Sequence, residues 1–440
     1  MNRRFRTVFL LSAVWVIRGA ISQDRMTVEE AIRIGLEYNL DIRIAKTEAD
    51  MARNSLHIGK AGFLPKLDLT ASQSRSVNKT ELKFADGTAV DKEDAITDVT
   101  NAGLSLNWTL FDGMSMFASF GRLKELKAIG DIAARQQIEN TVAEIIASYY
   151  SLVREASLLR VLQEAAAVSE ERVKLAESNL RLGSGSRFDM LRARVDLNAD
   201  RSGLMKQETA LQNARIAFVR LIGFDSRSDF AVEDSIGIGP RLDREVLRTH
   251  MLEQNADLLL AKRDLGVARF DVRTSAAKFF PKLSVWSNYT FGRTDAQVGL
   301  YQYSQNLGLN VGATLSFNLF NGFSDHIDLM NARLARRAGE LVLENTQRIL
   351  ESDFDQRINE YEDNWNLVGI ERENLEIARA TLDIAREKLR VGTSTPLEYR
   401  ESQNAYVDAA NRLVEALYTA KQAETELLRM SGGLVREKQP

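Results

Sequence analysis

Phe279-Phe280-Pro281-Lys282-Leu283 divides two kinds of sequence. Before it, apolar residues recur at helical spacing. After it they alternate: Leu283, Val285, Ser287, Tyr289 and Phe291 share one parity. Lys282, Ser284, Asn288 and Thr290 share the other. A period near 3.6 gives way to a period of 2, the change expected where a helix runs into a half-exposed strand. Proline suits such a joint, because it ends a helix and is tolerated at a strand's start. The joint recurs as Phe63-Leu64-Pro65-Lys66-Leu67, and Pro65 and Pro281 are 216 residues apart (281 − 65).

Working outward, the two halves match in order. Thr27-Val28-Glu29-Glu30 is a capping-box pattern opening a short helix that ends near Asn39. Its counterpart opens at Asp243 and ends near Asn255. Moderate helices of matching length, Asp41 to Gly62 and Asp257 to Lys278, lead to the joints. Each joint is followed by a strand, a polar loop and a second strand. The expected strands are 66–76 and 101–111 in the first half and 282–293 and 306–320 in the second, with loops Val77 to Val99 and Thr294 to Gln305. Trp286 falls on the polar parity, out of pattern.

Both strand pairs end in a glycine turn, Leu110-Phe111-Asp112-Gly113 and Leu319-Phe320-Asn321-Gly322. Two proline-free stretches follow, Ser115 to Leu182 and Phe323 to Arg390, each of 68 residues. At 1.5 Å per residue such helices would each be about 100 Å long. Gly183-Ser184-Gly185-Ser186 and Gly392-Thr393-Ser394-Thr395 then turn the chain into return helices, Phe188 to Ile222 and Pro396 to Met430. The fold class read from this order is mainly α, a tandem duplication of helix-helix-strand-strand-helix-helix. The expected domains are a first repeat at 23–223, a linker at 224–242, a second repeat at 243–432 and a tail at 433–440.

Bulk properties narrow the class. The 440 residues carry 58 basic and 61 acidic side chains, which leaves no basic footprint for nucleic acid. The absence of cysteine excludes disulfides, thiolate metal sites and a cysteine nucleophile. His57, His250 and His326 are scattered, and no metal or catalytic spacing appears, so neither cofactor nor metal is expected. Residues 1–22 read as an export signal: basic Asn2-Arg3-Arg4-Phe5-Arg6, apolar Val8 to Ile17, and small-x-small Ala20-Ile21-Ser22. About ten apolar residues are too few to span a bilayer, which needs about 20. An exported chain with no longer apolar stretch would enter a membrane as strands. Four strands are too few to close a barrel, for which about eight is the practical minimum. Other copies would have to complete it, since open edges are not tolerated in lipid.

The ordered set of motifs resembles the TolC-type outer-membrane efflux proteins over essentially the whole mature length. Its carriers are Thr27-Val28-Glu29-Glu30-Ala31-Ile32, both Phe-x-Pro-Lys-Leu joints, both Leu-Phe-(Asp/Asn)-Gly turns, and Val391-Gly392-Thr393-Ser394-Thr395 before Glu398. The resemblance implies a homotrimer whose long periplasmic α-barrel is continuous with a 12-stranded β-barrel in outer-membrane lipid. It implies docking to a periplasmic membrane-fusion adaptor and an inner-membrane pump of RND, ABC or MFS type. The function implied is a passive exit duct for drugs, small molecules or secreted proteins. A periplasmic adaptor or a structural coiled-coil surface protein is the alternative; the two strand pairs and the duplication disfavour the first, the glycine turns the second.

The resemblance also assigns sites. Gly183, Ser184, Gly185, Gly392, Thr393 and Ser394 fall at the adaptor-docking tips, where the bland reading is a helix cap on each side of a turn. Asp189, Glu398 and Glu401 fall at the family's pore constriction, where the bland reading is a first-turn carboxylate serving the helix dipole. The arginine and tyrosine that help lock some members are here Ser394 and Leu389. Pro65, Pro281, Gly113 and Gly322 mark the helix–strand joints.

Overall fold

The computed structural model describes residues 25–223 and 230–434. The expected export signal lies outside them, as do 224–229 of the linker and 435–440 of the tail. The element order is α1 (Val28–Tyr38), α2 (Leu40–Ser55), β1 (Lys66–Lys83), β2 (Ala89–Asp112), α3 (Ser115–Arg181) and α4 (Arg187–Ile222). The second half repeats it: α5 (Arg244–Gln254), α6 (Ala256–Ala277), β3 (Lys282–Ala296), β4 (Tyr303–Ser316), α7 (Ser324–Arg390) and α8 (Pro396–Met430). The duplication is therefore real element by element. The two long helices are both 67 residues.

Local chemistry sets the boundaries. Thr27 Oγ1 accepts from the Glu30 amide at 3.3 Å, and the Asp243 carboxylate caps α5 through Glu245 and Val246. Pro396 is the first residue of α8, where its missing N–H costs nothing. One expected helix is shorter than its counterpart. α2 stops at Ser55, and residues 56–62 form turns in which His57 Nδ1 accepts from the Gly59 amide at 3.0 Å. Asn54, Ser55 and Gly59 are weak helix formers, and Gly62 has φ +95°.

The chain divides into two compact units. One takes in residues 39–144, Pro240–Trp365 and 422–434 and carries the sheet. Its strands are antiparallel in the order β1-β2-β3-β4. Leu69, Leu104, Tyr289 and Leu309 lie in one row of the ladder, all exposed. Val311 is 70% and Leu315 69% exposed on the same face. The other face carries Ser72, Asn101, Ser105, Asn288 and Asn310. β1 and β4 have no further strand partner among the described residues. A wide apolar face open to the surroundings and two unpaired edges are not features of a sheet that works alone in water.

Three of the four strands run further than their expected limits, and β4 is displaced. The expected loop Val77 to Val99 is mostly strand, paired through Lys83 and Ala89 after a bulge near Asn78 and Thr80. The reversal is a tight turn in which Phe84 N donates to Thr88 O at 2.7 Å, with Gly87 at φ +91°. Polar side chains on both faces made this stretch read as loop, yet cross-strand pairs such as Arg75–Asp98, at 2.7 Å, sustain the ladder. β4 ends at Ser316, not at residue 320, because Ser316 already faces Lys282, the first residue of β3.

At the joints, Trp108 Nε1 donates to the Phe63 carbonyl at 2.8 Å, pinning a strand end to the chain entering β1. Gly113-Met114 and Gly322-Phe323 share consecutive left-handed backbone, with φ of +69°, +71°, +66° and +62°. The same unusual turn at the same place in both halves is a second mark of the duplication. α5 packs on α7 in this unit through Leu247, Met251, Phe354, Ile358 and Tyr361.

The other unit takes in residues 25–38, Ile145–Gly239 and Asn366–Lys421. Its core holds Ile34, Ile145, Tyr149, Phe218 and Ile222. Gly35 lets α1 approach α3: a Cβ there would lie 2.2 Å from Ile145 Cδ1. Among the described residues no helix is long and apolar enough to cross a membrane.

Candidate functional site: the hairpin tips

Both reversals at the helix ends belong to this second unit, and both are built the same way. The Ser184 amide reaches Asn179 O at 3.0 Å and the Gly183 amide reaches Leu180 O at 3.2 Å. In the second hairpin Thr393 bonds Lys388 O at 2.9 Å and Gly392 bonds Leu389 O at 3.2 Å. Each is a Schellman cap closed by a left-handed glycine, φ +73° at Gly183 and +78° at Gly392. The next helix then starts at once. Ser186 Oγ accepts from the Asp189 amide at 3.0 Å, and Thr395 Oγ1 from the Glu398 amide at 3.2 Å.

The two tips share one cavity of about 510 Å³. Ser184, Gly185, Ser186 and Asp189 line it from the first hairpin, and Gly392, Ser394 and Thr395 from the second. Of the expected site residues, Ser184, Gly185, Asp189, Gly392 and Ser394 line this cavity, while Gly183, Thr393, Glu398 and Glu401 do not. Asp189 accepts from Ser186 Oγ at 2.6 Å, and Glu398 accepts from Ser394 Oγ at 2.7 Å with Lys388 Nζ 3.7 Å away. Both carboxylates lie in the first turn of their helices, where a negative charge also favours the helix dipole. Glu401 is exposed, one turn further along α8 on the same face as Glu398.

Behind the tips lies a buried polar cluster that the sequence reading missed. Arg400 of α8 makes a bidentate bond to Asp200 of α4, at 2.8 Å to each oxygen. Asp200 also accepts from Ser169 Oγ of α3. Gln403, 1% exposed, donates to Ala165 O at 2.9 Å and to Ser169 Oγ at 3.2 Å. Arg172 pairs with Asp196 a turn away. The cluster ties α8 of the second hairpin to α3 and α4 of the first. The bond to Asp200 holds the Arg400 guanidinium charged, above its ordinary range. A signal did exist: Gln403 is a polar residue in a helical stripe one turn past Tyr399, where an apolar residue is expected. Among the described residues no group of three or more His, Cys, Asp or Glu is placed to hold a metal ion.

The model of the family described as "Outer membrane efflux protein" matches residues 31–224 and 247–433, one segment per repeat. The chain belongs to the outer membrane efflux protein family. Its relatives include the pyoverdine export outer membrane protein OpmQ of Pseudomonas aeruginosa, 24% identical, with 92% of this chain and 85% of that protein covered. Another is the alkaline protease secretion protein AprF of the same species, 21% identical over 88% of this chain and 81% of that protein. The fold matches that of the outer-membrane channel OprN, with a TM-score of 0.74, 19% identity, and 92% and 90% of the two chains covered. The protein is thus an outer-membrane exit duct of the efflux and secretion type, one that works with adaptor and inner-membrane pump components.

Proposed function

We propose that three copies of the chain assemble into the duct. The sheets would close as a 12-stranded barrel in outer-membrane lipid, with the long helices forming the periplasmic portion. The observation that carries this is the open four-stranded sheet with an uncovered apolar face and a polar opposite face. Three such sheets joined edge to edge satisfy every open edge and line a passage with the polar faces. On this reading the first repeat spans 23–223 and the second 243–432, and Pro65, Pro281, Gly113 and Gly322 are the four points where each chain passes between helix and barrel.

The tips at Gly183-Ser184-Gly185 and Gly392-Thr393-Ser394 receive the hairpin of a membrane-fusion adaptor, and a pump of RND, ABC or MFS type supplies energy and chooses the cargo. The names of the relatives, one for pyoverdine export and one for alkaline protease secretion, fit a duct that is not itself selective. Asp189, Glu398 and Glu401 ring the periplasmic entrance, where threefold carboxylates favour cations and resist collapsing together. Glu401, exposed on α8, is the carboxylate most available for that role. Planar-bilayer recordings of the purified protein test it. We expect cation-selective current, with selectivity reduced in the Glu398→Gln/Glu401→Gln double variant; unchanged selectivity would remove the carboxylates from the entrance.

A further inference from the structure

Trp286 is a large aromatic on the polar face of the sheet. Its ladder partners are Asn107 and Gly312, and Asn288, Asn310 and Ser105 fill the next row on the same side. The indole lies over Gly312. A Cβ at Gly312 would sit 2.6 Å from Cζ2, 2.8 Å from Cε2 and 3.1 Å from Nε1 of the ring. Nε1 donates to Thr314 Oγ1 at 3.3 Å, two residues further along β4. The ring is thus laid along the strand by a glycine that makes room and a threonine that fixes its polar edge. The residue as a whole is half-buried rather than enclosed. No cation sits over it among the ring–cation contacts of the described residues, whereas Arg293 on the same strand lies over Tyr303 at 5.3 Å.

An indole in this position is not explained by the lipid interface. The exposed aromatics suited to a girdle, such as Phe279, Phe280, Phe317 and Phe320, cluster at the helix-proximal strand ends. A half-buried ring held in place on this face, surrounded by small neutral polar side chains, is instead a surface on which a flat solute can displace loosely held water. The ring's negative face favours planar cations over planar anions. We propose that Trp286 is a stacking site for planar aromatic solutes, cationic ones most strongly, on the inner wall of the barrel. The site rests on the polar face lining the passage.

The test adds 9-aminoacridine, a planar aromatic cation, to the barrel side of the purified channel in a planar bilayer. Tetraethylammonium, a cation without a ring, controls for attraction to carboxylates elsewhere. In Trp286→Leu the aminoacridine block should weaken about tenfold, as expected for the loss of one stacking contact, while the tetraethylammonium response stays the same. Trp286→Phe, which keeps a smaller ring and disturbs the packing least, should fall between. Equal block in native protein and Trp286→Leu overturns the site, as does equal loss for both cations. Quenching of indole fluorescence by 9-aminoacridine, compared between native protein and the same variants, reads the site without requiring current. A channel that shows no current but Trp286-dependent quenching would contradict the duct and keep the site.

Discussion

Tyr149 and Asp200 show what single side chains contribute. Tyr149 is fully buried, donates to Met26 O at 2.8 Å and accepts from the Glu233 amide at 3.4 Å. Burial pushes its phenol up to about 12. A group whose folded-state pKa is raised stabilises the fold fully below its unfolded value, near 10, and loses that stabilisation as pH rises through the folded value. Unfolding should therefore become easier by about 2 kcal/mol between pH 10 and 12. Tyr149→Phe should remove that step and cost about 1–3 kcal/mol at neutral pH, because a buried carbonyl loses its donor. Denaturation curves across that pH range check both. Asp200→Asn leaves the half-buried Arg400 with a weaker, uncharged partner, and the expected cost is about 1–3 kcal/mol. Since the pair ties α8 to α3 and α4, the same variant should raise proteolysis at the tips, which trypsin digestion would show. Replacing both, as Asp200→Leu/Arg400→Met, should cost less than the single change.

At the scale of elements, the glycine turns are where sequence and geometry meet. Gly113 combines φ +69° with a tight approach: an added Cβ would lie 2.4 Å from the Ala277 carbonyl and 2.8 Å from Phe280 Cβ. Gly183 has a similar φ of +73° but open space around it. Gly183→Ala should cost about 1 kcal/mol through backbone strain alone. Gly113→Ala adds a clash with backbone and should lower the thermal midpoint markedly more, which paired melting curves would reveal. The order of elements was legible because proline, glycine and the change of period fall at the same places in both halves. The ends of β1 and β2 were not, because beyond Val77 the strands lose their apolar parity and only pairing holds them. α2 ends earlier than its counterpart because Asn54, His57 and Gly59 interrupt it, whereas the last turn of α6 has no Asn, His or Gly. The polar cluster around Arg400 is not legible in the sequence for a different reason. Its members come from α3, α4 and α8, and no spacing within one helix reveals a contact between three. Trp286 was visible as an exception, and Gly312 opposite it supplied the reason.

At the scale of the whole molecule, the sheet is the feature that one chain leaves incomplete. Helical hairpins with capped tips occur in many proteins, but four amphipathic strands with two free edges demand a partner of the same kind. On the proposed reading the apolar face meets lipid, the polar face lines a passage, and three sheets of four strands make the barrel. Three chains reach twelve strands; two would give a barrel of eight, narrow enough for its own side chains to fill. Native mass spectrometry of the protein extracted from outer membranes in mild detergent tests this most directly. The account predicts a single assembly of three chains. A monomer or a dimer as the extracted species would contradict it.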